Sequence, residues 1–253
     1  MIASRSFKLG INVCAYCGVA IATTKDHVIS RNLWPDDERN GVKFIRVPAC
    51  LLCNGQKSKV DNFLRDYLVI DEDRSCHPLA AKLISNGTIE RAVQGKHVKI
   101  LRSFEDGVVL PRVTPAGIIW GAHYGIPLDQ KDWEQIAEAV DYVSRGLYWV
   151  VTGEAMTSDM AVSSRLIPRV DRVEALKRFG HISRIAQEFH PEAGNWIEIG
   201  DVYSGFMAAA PGGMYWYHVF YNGVTLLSRI GPIASSEEAP TVEHATLDIP
   251  TES

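Results

Sequence analysis

The chain has 253 residues, of which 46% are hydrophobic and 22% are charged, and its formal net charge at pH 7 is -4. These proportions are typical of a globular protein, and the length allows two domains of about 100–150 residues each. No apolar run approaches the ~18 residues of a membrane span, and Met1–Gly10 lacks the apolar core and cleavage site of a signal peptide. These features argue against a membrane or secreted protein, and we expect a cytoplasmic one.

The charge is unevenly distributed along the chain. Residues 235–253 contain five carboxylates and no Lys or Arg, and without this segment the formal charge is +1. Between Arg5 and Arg65 there are ten Lys or Arg and five Asp or Glu. We therefore interpret residues 235–253 as a solvated acidic tail, and the N-terminal excess of positive charge permits contact with phosphate groups.

Four of the five cysteines form two C-x2-C pairs, Cys14 with Cys17 and Cys50 with Cys53. Each pair can place two thiolates on one face of a tight turn, and four thiolates complete a tetrahedral Zn²⁺ site. The pairs are 32 residues apart, which exceeds the ~15–20 of a simple zinc ribbon. The spacing predicts a structural zinc with a functional segment inserted between the pairs, and scattered buried cysteines are the alternative.

The inserted segment contains Asp26-His27 followed by two apolar residues, and Asn54 and Lys57 follow the last cysteine. This order of residues resembles the HNH endonucleases, in particular the zinc-containing branch to which phage endonuclease VII belongs. The resemblance covers residues 14–60, and it implies a ββα-metal (His-Me finger) fold in which a β-hairpin carries Asp26 and His27 and packs on a helix that begins near Asn54.

The resemblance also implies a set of roles in cleaving DNA. Asp26 and Asn54 would hold a catalytic Mg²⁺ or Mn²⁺, and His27 would take a proton from the attacking water. Lys57 and Arg31 would bind neighbouring phosphates of the nucleic acid. Taken singly, these residues also have ordinary interpretations: a structural histidine, an asparagine that caps the helix, and a lysine exposed to solvent.

Two local patterns agree with this expected fold independently of the resemblance. Val28 and Ile29 suit a short buried strand, and Gly55–Leu68 can form a helix with an apolar side. One position departs from the family: Ile45 stands where the middle asparagine of the HNH name is expected, and Asn40 is a substitute in an altered register. In the family, that asparagine helps to orient the histidine partly through its backbone carbonyl, which any residue can provide. The departure therefore concerns fine geometry and rate more than the assignment.

The remainder of the chain predicts more helices and strands. Gln130–Val150 has the spacing of an amphipathic helix, and a second helix is expected over Val170–Phe189. From Trp196 onward the pattern is rich in β-formers, and Tyr221-Asn222-Gly223-Val224 predicts a hairpin whose Asn-Gly pair accepts the positive φ values of a type I′ turn.

The sequence as a whole therefore predicts an α+β protein in three parts. Residues 10–75 would form the nuclease module, residues 76–234 an α+β accessory domain for DNA targeting or dimerisation, and residues 235–253 the acidic tail. The expected function is metal-dependent DNA cleavage, with bacterial or phage restriction or defence as its setting. Two rivals stay open: cleavage of RNA by the same site, and a non-catalytic zinc ribbon that only binds nucleic acid.

Overall fold

The computed structural model describes residues 13–70, 77–88, 108–113, 119–125, 130–167, 196–210 and 213–233. Three sequence-based predictions lie outside these residues: the helix over Val170–Phe189, the boundary near residue 75 and the acidic tail.

The N-terminal region consists of a β-hairpin followed by a long helix. Strand β1 (Thr24–His27) pairs antiparallel with β2 (Arg46–Ala49), so that Asp26 lies opposite Val47 and His27 opposite Arg46. Two short 3₁₀ turns, Arg31–Leu33 and Asp36–Glu38, connect the strands, and helix α1 (Leu51–Ile70) follows β2 directly. The predicted hairpin and helix are thus present, although the helix begins at Leu51, ahead of Asn54.

The apolar residues of this region fill the space between hairpin and helix. Val28 and Ile29 are fully buried as expected, but they lie in a bend just after β1 and not within the strand. On α1, Val60, Leu64 and Leu68 are buried along one side at helical spacing. The helix therefore has a buried apolar side, as predicted.

The rest of the described chain contains two further helices and seven strands. Helix α2 (Pro78–Leu83) runs into a π-helical turn (Ile84–Thr88), and helix α3 spans Gln130–Thr152. Strands β3 (Val108–Val113) and β4 (Ile119–Gly125) form a separate antiparallel pair. The remaining strands are β5 (Met160–Leu166), β6 (Trp196–Ile199), β7 (Tyr203–Ala210), β8 (Gly213–Phe220) and β9 (Val224–Pro232).

Strands β5 to β9 form one antiparallel sheet in the order β5-β9-β8-β7-β6, against which α3 packs. The predicted amphipathic helix and the β-rich C-terminal region are therefore confirmed, and the mixture of helix and strand agrees with an α+β fold. Within the described part of the chain, no helix combines the length and the apolar character that crossing a membrane requires.

The tight turn between β8 and β9 differs in detail from the prediction. The positive φ values fall on Tyr221 (49°) and Asn222 (55°), one residue earlier than the expected Asn-Gly pair. Two hydrogen bonds of the buried Tyr221 explain this shift. Its side-chain hydroxyl donates to the carbonyl of Leu33 at 2.6 Å, and its backbone N–H donates to the carbonyl of Val202 at 2.8 Å. Contacts made by the side chain thus outweigh the cost of a left-handed conformation at a tyrosine.

One hydrophobic core includes residues of both predicted domains. It contains buried side chains from the cysteine pairs, α1, α3 and the five-stranded sheet. At Gly146 of α3, an added Cβ would lie 3.0 Å from both methyl groups of Val28 and 3.4 Å from the Tyr16 ring. Helix α3 therefore packs directly behind the hairpin that carries Asp26 and His27.

A buried polar network joins α3 to the sheet. His218 on β8 is fully buried, and its Nδ1 is 2.9 Å from the Tyr203 hydroxyl. Its Nε2 is 2.9 Å from the Ser228 hydroxyl and 3.3 Å from that of Ser144 on α3. Burial lowers the pKa of His218 to about 3, so the imidazole is neutral in the folded protein at neutral pH.

We expect this histidine to make folding sensitive to acid. Because its pKa is lowered on folding, the unfolded chain binds more protons below pH ~6.5, and stability is lost as pH falls from there towards 3. The loss approaches about 1.4 kcal/mol per pH unit. Denaturant unfolding of the wild type and His218→Gln at pH 7 and pH 4.5 measures it, and the variant should lose less stability between the two conditions. An equal loss in both proteins would contradict this role.

Candidate functional site

The four cysteines of the two pairs converge at one place, where their sulfur atoms lie within 4.8 Å of one another. They form no disulfides. Backbone amides support the turns, since Ala20 N–H donates to Cys17 Sγ at 3.5 Å and Cys53 N–H donates to Cys50 Sγ at 3.4 Å. A tetrahedral site with metal–sulfur bonds of ~2.3 Å needs sulfurs about 3.8 Å apart. The four cysteines are therefore positioned to bind a metal ion.

The electrostatics of the cluster also fit a cation. Burial raises the pKa of Cys14 and of Cys53, and the neighbouring thiol groups raise that of Cys53 further. At Cys17 burial acts in the same direction, but the backbone N–H groups of Ala20 and Val19 outweigh it and lower the pKa to about 7. Because four thiolates held close together repel one another, a divalent cation at their centre stabilises their ionised form.

The first cysteine turn requires a glycine. Gly18 has φ +68°, and an added Cβ would lie 2.8 Å from the carbonyl oxygen of Met156, which follows α3. Its N–H donates to the carbonyl of Cys14 at 2.9 Å. A side chain here would meet both the positive φ and the close approach of the chain after α3.

We expect Cys50→Ser to lose the bound metal and to destabilise the protein, because three thiolates and a hydroxyl bind a cation much more weakly than four thiolates. Metal content by mass spectrometry and thermal unfolding measure the two effects. Cys76→Ser is the control, since this cysteine is not one of the four. Full metal content in the Cys50→Ser protein would show that the cluster is not a metal site.

Asp26 is largely enclosed, with a side chain that is 15% exposed. Its Oδ2 accepts a hydrogen bond from the Tyr16 hydroxyl at 2.6 Å and lies 3.6 Å from Lys57 Nζ. Burial and the Asp26 charge raise the pKa of Tyr16, so the phenol stays protonated and acts as the donor. These contacts occupy Oδ2 and leave Oδ1 to face any further ligand.

Asn54 approaches the same face of β1 from helix α1. Its Nδ2 donates to Thr24 Oγ1 at 3.2 Å, and Thr24 Oγ1 donates to the carbonyl of Ala49 at 2.9 Å. Because the hydroxyl has one hydrogen, it can only accept from Asn54, which fixes the orientation of the amide. Thr24 and Asp26 lie two residues apart on one strand face, about 6.5 Å. The Asn54 amide therefore lies at the strand face that carries Asp26. Asn54 is within α1 and does not cap this helix.

His27 ends β1 on the opposite strand face from Asp26. Its Nε2 accepts a hydrogen bond from Arg46 Nε at 3.0 Å, and its ring meets Phe44 edge to face at 5.4 Å. Burial and the Arg46 charge lower the pKa of His27, while the Asp26 charge opposes them. The imidazole is therefore neutral near pH 7. Among the described residues, no hydrogen bond directly joins the side chains of Asp26, His27 and Asn54.

Lys57 has a different place from the one expected of a phosphate ligand. It is fully buried, and its Nζ donates to the His27 carbonyl at 3.0 Å and to Asp61 at 2.6 Å. The reason is its helical spacing, because Lys57 and Asp61 share the side of α1 that faces the hairpin. The lysine thus joins α1 to β1 and does not present its charge to solvent.

We expect Lys57→Met to destabilise the folded protein by about 3–5 kcal/mol, because Asp61 would remain buried without its cation. Lys59→Met, an exposed lysine on the same helix, is the control and should change stability by less than ~0.5 kcal/mol. Urea unfolding of the three proteins measures the difference. Similar stability of both variants would show that the buried pair contributes little.

Arg31 and Arg46 are the cations exposed beside His27. The Arg31 guanidinium lies over the Phe44 ring at 5.5 Å from its centroid, and Arg46 contacts His27 directly. Arg31 was expected from the sequence but Arg46 was not, because the cross-strand partner of His27 follows from the hairpin register, which the sequence pattern does not fix. Tyr16 was not expected either, since its position in a cysteine turn does not indicate a contact with Asp26.

The contacts at Ile45 differ from both expectations, in which either the Ile45 carbonyl or Asn40 would help to orient His27. The Ile45 carbonyl accepts the N–H of Val28 at 3.0 Å, while Arg46 contacts the imidazole. Asn40 is exposed in the connection between the strands.

Comparisons of the chain with models of known protein families, with curated proteins and with solved structures found no match. The four-cysteine cluster and the hairpin–helix junction beside it are the observations that bear on function.

Proposed function

We propose that the protein is a metal-dependent endonuclease of the HNH type that hydrolyses phosphodiester bonds of DNA. The observation that carries this proposal is the junction of β1 with α1, where Asp26, His27 and Asn54 adjoin a four-cysteine cluster. The order of elements, strand, strand and helix, agrees with what the resemblance implies.

The cluster suits a structural zinc. Four thiolates are the donor set that Zn²⁺ takes in closed, tetrahedral sites, and no position remains for water or substrate. Zinc bound in this way supplies ~10–16 kcal/mol of apparent folding free energy in small domains. Its role here is to hold both cysteine turns, and hence β1 and the start of α1, in place.

The second cation of the proposal would be Mg²⁺ or Mn²⁺. Carboxylate and amide oxygens are ligands that these hard cations accept, and Asp26 Oδ1 with Asn54 Oδ1 would hold it. Such a cation neutralises charge on the phosphate and on the departing oxygen. Since two protein ligands leave positions for water and phosphate oxygens, this arrangement suits catalysis rather than structure.

His27 would act as the general base. Its Nε2 carries the lone pair, as the hydrogen bond from Arg46 Nε requires, and this atom would take the proton of the attacking water once Arg46 turns to the phosphate. The lowered pKa keeps the imidazole unprotonated near pH 7, which is the form a base needs.

The two exposed arginines would bind the nucleic-acid backbone. Within the described ranges, neither Arg31 nor Arg46 forms an ion pair with a carboxylate, so their charges are available to phosphates. A guanidinium can bind phosphate through two parallel hydrogen bonds. We therefore assign to Arg46, beside Arg31, the phosphate contact that the sequence suggested for Lys57.

The larger C-terminal part would supply targeting or dimerisation. A single ββα-metal site cuts one strand, and phosphate contacts alone carry no sequence information. Selection of DNA and paired cutting then require added surface or a second subunit. Restriction or defence in a bacterium or phage, in the cytoplasm, is the setting that this proposal favours.

We expect His27→Ala to lower DNA cleavage by about 10²–10⁴-fold while metal content at the cysteines is retained, because only the proton acceptor is removed. Nicking of supercoiled plasmid with Mg²⁺, with Mn²⁺ and with EDTA measures the activity. His77→Ala is the matched control, since this histidine lies outside the hairpin and its ring contacts Tyr221.

A single-stranded RNA substrate is included beside the plasmid. Cleavage of RNA alone would replace DNA with RNA as the substrate. Metal-independent binding of either nucleic acid without cleavage would favour the non-catalytic zinc-ribbon rival. Undiminished cleavage by His27→Ala would remove this histidine from the mechanism.

A further inference from the structure

Tyr16 lies inside the first cysteine turn, between Cys14 and Cys17, and reaches Asp26 on β1. Its hydroxyl donates to Asp26 Oδ2 at 2.6 Å, and the side chain is almost fully buried. An ionised carboxylate only accepts hydrogen bonds, so the phenol must be the donor. A bond of this length to a charged acceptor is of the strong, charge-assisted kind.

The Tyr16 ring packs against α3. The Tyr142 ring meets it edge to face, with centroids 5.3 Å apart and an interplanar angle of 84°. The absence of a side chain at Gly146 allows α3 to approach the ring, and Arg145 Nη1 donates to the Tyr16 carbonyl at 3.4 Å. Both the backbone and the ring of Tyr16 are therefore fixed by neighbouring elements.

We propose that Tyr16 is a positioning residue that couples the four-cysteine site to the catalytic carboxylate. By occupying Oδ2, it fixes the rotation of the Asp26 carboxylate and directs Oδ1 towards the cation held with Asn54. This inference rests on the proposed function, in which Asp26 binds Mg²⁺ or Mn²⁺.

Lys57 alone does not provide this orientation. Its Nζ is 3.6 Å from Asp26 Oδ2, beyond good hydrogen-bond length, while its short contacts go to Asp61 and the His27 carbonyl. Among the described residues, the Tyr16 hydroxyl is thus the donor of the short hydrogen bond to Asp26 Oδ2. Without this hydroxyl, the 3.6 Å approach of Lys57 is what remains, among the described residues, to restrain rotation of the Asp26 carboxylate.

The experiment compares Tyr16→Phe with the wild type, using full-length protein with its cysteine-bound metal. Phenylalanine keeps the ring contacts with Tyr142 and Gly146 and removes only the hydroxyl. Tyr142→Phe is the matched control, because its hydroxyl donates to Gln56 Oε1 at 3.1 Å and does not contact Asp26. Binding of Mn²⁺ is measured without nucleic acid by electron paramagnetic resonance, and kcat and KM for plasmid cleavage are measured separately.

We expect Tyr16→Phe to weaken Mn²⁺ binding and to lower kcat at fixed Mn²⁺ by about 10–100-fold, as loss of a partner that orients a metal ligand usually does. The KM for DNA and the metal content of the cysteines should stay within about twofold of the wild type, and Tyr142→Phe should match the wild type in all four quantities. A purely structural role would instead change unfolding and leave Mn²⁺ affinity unaltered, and that result would overturn the inference.

The two proposals fail in distinguishable ways. If the wild type cleaves DNA and Tyr16→Phe binds Mn²⁺ equally well, only the role of Tyr16 is wrong. If no nucleic acid is cleaved but Tyr16→Phe still weakens a Mn²⁺ site that Asp26→Ala abolishes, the nuclease function fails and the coupling stands. If Asp26→Ala leaves Mn²⁺ binding unchanged, both are overturned.

Discussion

The buried ammonium group of Lys57 is the contact on which the arrangement of the candidate site depends. It is fully enclosed, and its short hydrogen bonds go to Asp61 on its own helix and to the carbonyl of His27 on β1. Because a buried ammonium group needs its hydrogen-bond partners, α1 cannot slide or rotate against β1 without losing the bond from Lys57 to the His27 carbonyl and the 3.6 Å approach to Asp26. The same contact therefore fixes the helix that carries Asn54 relative to the strand that carries Asp26 and His27.

Around this contact, elements far apart in the sequence support one small region. The four cysteines meet at the turns before β1 and at the start of α1, where they are positioned to bind a metal ion, and α3 packs behind the hairpin through Gly146. Tyr221, from the turn between β8 and β9, donates to the carbonyl of Leu33 in the connection between β1 and β2. The C-terminal sheet is thus tied to the same core, and the hairpin is supported from both sides.

Local patterns allowed much of this to be predicted. The C-x2-C pairs predicted the four-cysteine cluster, because the geometry of such a turn is set by four consecutive residues. The apolar spacing of Gln130–Val150 predicted α3, because the period of a helix is also a local property of the sequence. The hairpin and α1 followed from the resemblance and from short apolar runs.

The contacts between elements were harder to predict, since they depend on register and on the inward side of a helix. Lys57 was expected at the surface, because a lysine near a phosphate-binding motif is usually exposed, whereas its partner Asp61 places it inside. The contact of Arg46 with His27 depends on the strand register, and the contact of Tyr16 with Asp26 depends on the conformation of the first cysteine turn. Neither can be read from the sequence pattern. The positive φ of Tyr221 likewise follows from a contact with a residue 188 positions away.

In the proposed function, Asp26 and Asn54 form a second metal site that is distinct from the cysteine cluster. Anomalous X-ray diffraction from crystals of the zinc-loaded protein soaked in Mn²⁺ tests it most directly, because the two metals are distinguished at their absorption edges. We expect one zinc peak among the four cysteine sulfurs and one manganese peak between the side-chain oxygens of Asp26 and Asn54. Manganese found only at the cysteines, or bound elsewhere with Asp26 still engaged solely by Tyr16 and Lys57, would contradict it.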